Sequence, residues 1–350
     1  MKGERDNIME EEMTAKVEST KEESTQMSAK EEVKPLSAKE EYRLLSESTE
    51  LPLFLQDWWV HAVSAGLKWD VLLARDSENR ICALMPYVED KHLWRKFIHM
   101  PTLCPYGGAW VREDWYDSFD AATAVARELH AQMEKMDISY FQQRFFPDNH
   151  LPQAFESIGY RKIERSTFVV EDTSDLQHVL DGFSKNKRKK LEKKTLTYAV
   201  GTMSAEDFYR FHAMCNGEKG KELWYTRETF LVLWEKSQAR GQSAIICIRD
   251  EHNDPLAAAF VVWDKRMAYE LLNCYVHAEA DNGAREKLTF EVLKLANSLK
   301  LGLDFVSHRS YLKHYGAVRK AYAMVKRSKS PLISLLFFNR RLRSFHYKKL

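Results

Sequence analysis

Two carboxylates in the last third of the chain stand where apolar residues would be expected. Glu270 lies inside Met267–Tyr275, where strict alternation puts Tyr269, Leu271, Asn273 and Tyr275 on one strand face and Glu270, Leu272 and Cys274 on the other. Asp304 interrupts the apolar run Leu301–Val306. A carboxylate among apolar neighbours sits at a cleft or a sheet edge, and either residue there could accept a proton from a substrate, directly or through water. A purely structural carboxylate, capping backbone N–H groups, is the competing reading for Asp304. Glu270 is open to three: base, substrate ligand or structural group. Tyr275, Ser307, His308 and Tyr311 add proton donors or substrate ligands, and His308 falls just past a strand end, where clefts in α/β folds open. The histidines form no metal-spaced set, so no structural or catalytic metal is expected.

These residues need a frame, and the chain offers one that recurs. Val71–Asp76 runs through a polar turn into Ile81–Met85, and Ala244–Asp250 runs through Glu251–Pro255 into Leu256–Trp263. Each is a β-hairpin by pattern. Helical spacing follows in both places, with Val125, Leu129 and Met133 in 121–135 and Leu288, Val292, Leu295 and Leu299 in 285–299. A short strand comes next, at 138–141 and again at 303–306. Then a short helix stops at Gly159 or Gly316 before a final strand. The spacing between copies shrinks from 174 residues at Arg75 and Arg249 to 157 at Gly159 and Gly316, as shorter loops in the second copy would produce.

With 350 residues and an apolar fraction of 44%, the chain has material for two domains or one pseudo-symmetric body. Residues 1–40 carry eleven acidic and seven basic side chains and almost no large apolar ones, so a mobile charged tail is expected over 1–47. The first domain then covers 48–172, a linker with a basic helix 173–200, the second domain 201–330, and a basic amphipathic segment 331–350. No secretory leader is apparent, and no apolar run reaches the roughly 18 residues of a spanning helix, so a cytoplasmic protein is expected. Cys82, Cys104, Cys215, Cys247 and Cys274 are widely spaced and odd in number, which reads as buried free thiols.

Ser184–Lys194 holds seven basic residues and one acidic, with Ser184 placed to cap a helix. Lys187 and Leu191 share a face; Lys185, Arg188 and Lys189 spread around the rest, towards solvent or the phosphates of a coenzyme tail or RNA. No aromatics are interleaved for base stacking. From Arg319 to Leu350 there are ten Lys or Arg and no acidic residue, bordering the apolar stretch Pro331–Phe338. That segment either docks on the body or gives weak peripheral contact with an anionic membrane.

The order hairpin, long helix, strand, short helix, strand resembles the GNAT acyltransferase fold, and its repetition resembles the Fem-type peptidyl transferases and their acetyltransferase-like relatives. Leu51–Trp59 is similar to the family's opening segment, Met100–Leu103 with Gly107-Gly108 to the loop after its first hairpin. Phe183–Leu191 is similar to the helix that starts its second domain, and Leu303-Asp304-Phe305 with Tyr315-Gly316-Ala317 to its closing pattern. The resemblance spans about residues 50–330 and implies an α/β protein of two GNAT-like domains in tandem, built on mixed sheets.

It also implies N-acyl transfer to a small-molecule or peptide amine, with acetyl-CoA or another acyl-CoA as donor. Aminoacyl-tRNA is the alternative donor, and a non-catalytic module that binds RNA or anionic lipid is the alternative from another class. The chemistry requires that the amine lose a proton and that the carbonyl oxygen meet a donor. The coenzyme's pyrophosphate would meet Asn282, Gly283, Ala284 and Arg285 at a helix start, with Lys185 and Arg188 nearby on the basic helix. Two departures from the pattern stand out: Asp281 beside a single glycine, and Val306-Ser307-His308 where an acidic-glycine pair is usual. The aromatic, Gly/Pro-rich loop Leu103–Trp110, with Tyr106 at its centre, has the composition of an acceptor-pocket wall across a domain interface.

Overall fold

The structure, a computed structural model, describes residues 35–64, 66–92, 95–115, 118–192, 199–276 and 283–333. Helix α1 (Ala38–Ser48) packs Tyr42 against Leu51, Val71, Leu73 and Leu84, and the Tyr42 hydroxyl donates to the Leu55 carbonyl at 2.6 Å. The expected charged tail to residue 47 therefore gives way to folded structure at Ala38. Tyr42 and the half-buried Leu45 recover by burial the entropy that a purely charged segment would lose. Helix α2 (Asp57–Val63) follows.

Each half then builds a three-stranded antiparallel meander: β1 (Lys68–Arg75), β2 (Ile81–His92) and β3 (Arg95–His99) in the first, β8 (Ser243–Arg249), β9 (Pro255–Trp263) and β10 (Met267–Tyr275) in the second. The opening hairpins turn in the same way. Asp76 Oδ1 accepts the N–H groups of Glu78 and Arg80, and Asp250 Oδ1 those of His252 and Asp254. Asn79 and Asn253 take the left-handed conformation at φ +62° and +68°. Arg75 and Arg249 donate to the carbonyls of those same asparagines. Asparagine tolerates this conformation because its short polar side chain bonds locally.

A crossover helix returns each meander to a parallel strand. In the first half α3 (Phe119–Lys135), capped by Ser118, leads to β5 (Ile138–Arg144) beside β3; β4 (Trp110–Val111) pairs with β2 on the way. In the second half α9 (Ala284–Leu299) leads to β11 (Gly302–Asp304) beside β10. Helix α4 (Leu151–Ser157) and a 3-10 turn (Ser310–His314) stop at Gly159 and Gly316, with φ +92° and +78°.

The final strands are exchanged. Strand β12 (Val318–Ser328) pairs with β5 of the first half, and β6 (Arg161–Val170) pairs with β11 of the second. They meet each other antiparallel from Val318↔Val169 to Lys326↔Arg161. The described strands thus form one mixed sheet, ordered β1-β2-β3-β5-β12-β6-β11-β10-β9-β8-β7 with β7 (Ala199–Gly201) at its edge.

Between the halves run α5 (Leu176–Asp181), α6 (Lys185–Leu191), α7 (Ala205–Gly217) and α8 (Arg227–Gln238). Phe208, Phe230 and Leu233 of α7 and α8 share one core with Phe54 and Trp59 of the N-terminal segment and Phe260 and Tyr269 of the sheet. All five cysteines are buried and free. Of the C-terminal segment, Ile333 is buried against Phe97 and Tyr140, which docks its start on the body; residues 334–350 lie outside the described residues. No helix among the described residues is long and apolar enough to cross a membrane.

Candidate active site

Strands β10 and β11 pair only where Met267–Tyr269 face Gly302–Asp304. Beyond that point β10 runs on to Tyr275, while the chain after Asp304 swings away at Val306, whose φ is +48°. A β-branched residue in this region costs of order 1–3 kcal/mol. Asp304 Oδ1 helps to hold it there, accepting the Val306 N–H at 2.7 Å. The splay opens a cavity of about 680 Å³, with Glu270 to Asn273 on one lip and Phe305 to Ser307 on the other.

Glu270 is placed by an irregularity that alternation did not anticipate. The β10–β9 register steps from Glu270↔Val261 to Leu272↔Phe260, so Leu271 is an extra residue in the ladder. Past this bulge the faces swap: Leu272 and Cys274 are buried in the core that holds Tyr269, while Leu271 is only partly buried against it and Asn273 is exposed. Glu270 is 6% exposed. Burial pushes its carboxyl up to about 8, against a smaller opposing pull from the Asn273 amide. Such a group exchanges its proton near neutrality, the property required of a general base for an ammonium substrate.

The first half supplies the facing wall: the loop Met100–Pro105 and, from β5, Gln142 and Arg144. Arg144 is half-buried, and its backbone is fixed by a bond from the Gly107 N–H to its carbonyl at 2.8 Å. A second cavity of about 520 Å³ shares Pro105, Arg144, Val306 and Ser307 with the first and adds Arg165, His308 and Arg319. His212 and Trp224 close the first cavity from α7 and the loop after it. Burial, with help from Lys219, lowers His212 to about 4, so this imidazole is neutral near pH 7.

Asp304 does not fit the expected role of base. Tyr106 donates to its Oδ2 at 2.7 Å, and Thr167 (2.5 Å) and Val306 N–H both donate to Oδ1. Burial raises its pKa against the pull of these donors. With its oxygens engaged, Asp304 anchors the turn instead of facing substrate. Tyr106, expected to touch substrate, is 2% exposed and spends its hydroxyl on Asp304. The pair forms a septum: a third cavity of about 420 Å³ lies against Tyr106 and Asp304, and Tyr106 also lines the second.

The other end of the splay gathers the expected cofactor residues. Gly283, at φ +96°, caps α9, and Ala284 and Arg285 begin it; Asn282 lies outside the described residues. The Arg285 guanidinium lies over the rings of Tyr275 at 5.3 Å and Tyr311 at 5.1 Å. Burial raises the Tyr311 hydroxyl, and Glu270 adds to the effect, which ties this cluster electrostatically to the cavity.

Helix α6 is docked here through the face that Lys187 shares with Leu191. Lys187 is buried and pairs with Glu286 in the first turn of α9 at 2.6 Å. Burial pushes Glu286 up, but the Lys187 ammonium more than offsets it and holds the carboxyl below its usual range. Lys185 and Arg188 remain exposed on α6, Arg188 within 3.7 Å of Asp181. Ser184 stands at the cap position, yet its side chain makes no capping bond.

Ser307 is half-buried and lines the first two cavities, whereas His308 is exposed and lines only the second, away from Glu270. Sequence reasoning missed Arg144, Gln142, His212, Trp224 and the Lys187–Glu286 pair. A signal existed for the first two: Gln142-Gln143-Arg144 puts polar side chains at the end of an apolar strand; Gln143 is buried and donates to the Pro86 carbonyl, and Gln142 accepts from the Tyr140 hydroxyl at 3.0 Å while lining the cavity.

No family model matches the chain, and no curated protein matches it in sequence. Solved structures do. FemX superposes with a TM-score of 0.60 at 11% identity, over 83% of this chain and 96% of that one. This chain has the FemX fold. L-PGS from Bacillus licheniformis follows at 0.51 and 13% identity, over 88% and 98%. The C-terminal domain of a protein assigned as a lysylphosphatidylglycerol synthetase, from Agrobacterium fabrum, gives 0.56 at 10% identity, over 87% and 97%. The expected Fem-type fold, a mixed α/β sheet, is thus the one observed.

Proposed function

We propose that the chain is an acyltransferase that joins an acyl group to an amine in the splay between β10 and β11. The observation that carries this reading is Glu270, buried at a bulge and set on the wall of a cavity to which both halves contribute. In the reaction the amine nitrogen attacks the donor carbonyl carbon, Glu270 takes the amine's proton, and the C–S or C–O bond to the leaving group breaks as that group is protonated. The bulged Leu271 offers its backbone N–H as the candidate donor to the developing oxyanion. Tyr275 and Tyr311 are candidate proton donors or ligands at the leaving-group end, and Ser307 is a candidate ligand on the acceptor side.

Acyl-CoA is the preferred donor. The α9 N-terminus at Gly283-Ala284-Arg285, with Lys185 and Arg188 on the adjoining α6, supports it as a phosphate-binding end. Aminoacyl-tRNA would use the same chemistry and the same basic helix, and the fold shared with FemX favours keeping it in view.

Calorimetry of the full chain with acetyl-CoA, beside a tRNA-binding assay, separates the donors. Micromolar coenzyme binding with amine-dependent thiol release supports the first; tight tRNA binding without it moves the assignment to the second. Normal turnover by Glu270→Gln with either donor would remove the proposed base.

A further inference from the structure

The cavities that meet at Arg144 carry cationic side chains without matching anions. Arg144 lines both, and among the described residues no carboxylate pairs with it, nor with Arg309 in the first cavity or Arg165 in the second. The only lining carboxylates are Glu270 in the first and Glu164 in the second, and Glu164 is already paired with Arg319 at 3.1 Å.

A half-buried guanidinium gives up part of its hydration and recovers most when it meets a counter-charge. Its planar fork of donors matches the paired oxygens of a carboxylate or phosphate. Arg144 is also held in place for such a ligand, since the Gly107 bond and the Met100 side chain fix its backbone at the end of β5. An amine that carries no anionic group would gain nothing from this charge, which repels an ammonium group in the same cavity.

We infer that the acceptor is an anionic amine: its amino group lies at Glu270 and its carboxylate or phosphate is read by Arg144 at the seam of the two cavities. The word acceptor rests on the proposed acyl transfer; the anion site does not.

The test is calorimetry on the full chain with two matched probe pairs, glycylglycine against glycylglycinamide and O-phosphoethanolamine against ethanolamine. In at least one pair the anionic member should bind about 10- to 100-fold more tightly. A preference in the first pair alone identifies a carboxylate, in the second alone a phosphate. Arg144→Gln should abolish the preference and Arg144→Lys keep part of it. Arg210→Gln, an equal charge change at an exposed site on α7, should leave it intact. Absence of preference in both pairs, or its survival in Arg144→Gln, overturns the inference. Should the preference depend on Arg144 while no donor supports transfer, the anion site stands and the enzymatic reading falls. Transfer to neutral amines with a KM indifferent to Arg144→Gln would sink the anion site alone.

Discussion

The Tyr106 hydroxyl reaches the Asp304 carboxylate at 2.7 Å across 198 residues of chain. It ties the long loop of the first half to the lip of the cavity in the second. Thr167 joins the same carboxylate from exchanged strand β6, so three separate segments converge on one buried group. The turn at Val306, and with it the width of the splay, depends on this convergence.

Tyr106→Phe removes one donor and keeps the ring. Asp304 is then left buried with fewer partners, which should cost about 1–3 kcal/mol of folding stability. Urea unfolding of the two proteins checks this, and equal midpoints would show that the bond contributes nothing.

Glu270→Gln should lower acyl transfer about 10²- to 10⁴-fold while leaving donor affinity unchanged. In the wild type the rate should climb with pH and level off above about 8, where the carboxylate is fully formed. A rate independent of pH between 6 and 9 would exclude Glu270 as the base.

The same group makes stability depend on pH. Its folded pKa, about 8, lies above that of an unfolded glutamate, so the folded state binds the extra proton. Its contribution is therefore complete at pH 4 and below, and is lost as pH rises towards 8. Chemical unfolding of wild type and Glu270→Gln at pH 5, 7 and 9 should show the wild type falling behind the variant at each step.

Lys187→Met should be among the costliest changes in the linker. It leaves Glu286, fully buried, with only the more distant Arg285 at 3.7 Å as a cation, at a cost of about 3–5 kcal/mol. The double change Lys187→Met with Glu286→Leu should recover most of the loss, because neither charge is then stranded. Thermal melts of the three variants decide it, and a solvent-facing Lys187 would predict no loss at all.

The element order of this molecule was legible because each element advertises itself locally. Hairpins, crossover helices and the glycine stops at 159 and 316 all follow from periodicity and turn chemistry. Glu270 was also legible as a carboxylate in an apolar strand, but its direction was not. A bulge at Leu271 is decided by how β9 and β10 pack, and the sequence of one strand does not contain that. Asp304 was visible as an oddity, while its donors, Tyr106 and Thr167, come from segments that only the tertiary fold brings near. Lys187 was placed on the face of Leu191, but its ion pair was not legible for a related reason. Its six basic neighbours in Ser184–Lys194 gave no hint that one charge would be buried, since its partner Glu286 lies 99 residues away. Arg144 went unnoticed because the cavity it serves is formed only when β12 and β6 join the halves.

That exchange of last strands has a consequence for biosynthesis. As the chain leaves the ribosome, β5 has no neighbour on one side until β12 emerges, and β6 waits for β11 as well as β12. The N-terminal portion therefore spends its synthesis with unsaturated sheet edges, open to pairing with other nascent chains. Cutting the gene between the halves would yield two fragments that each lack a strand, and that should assemble only when made together.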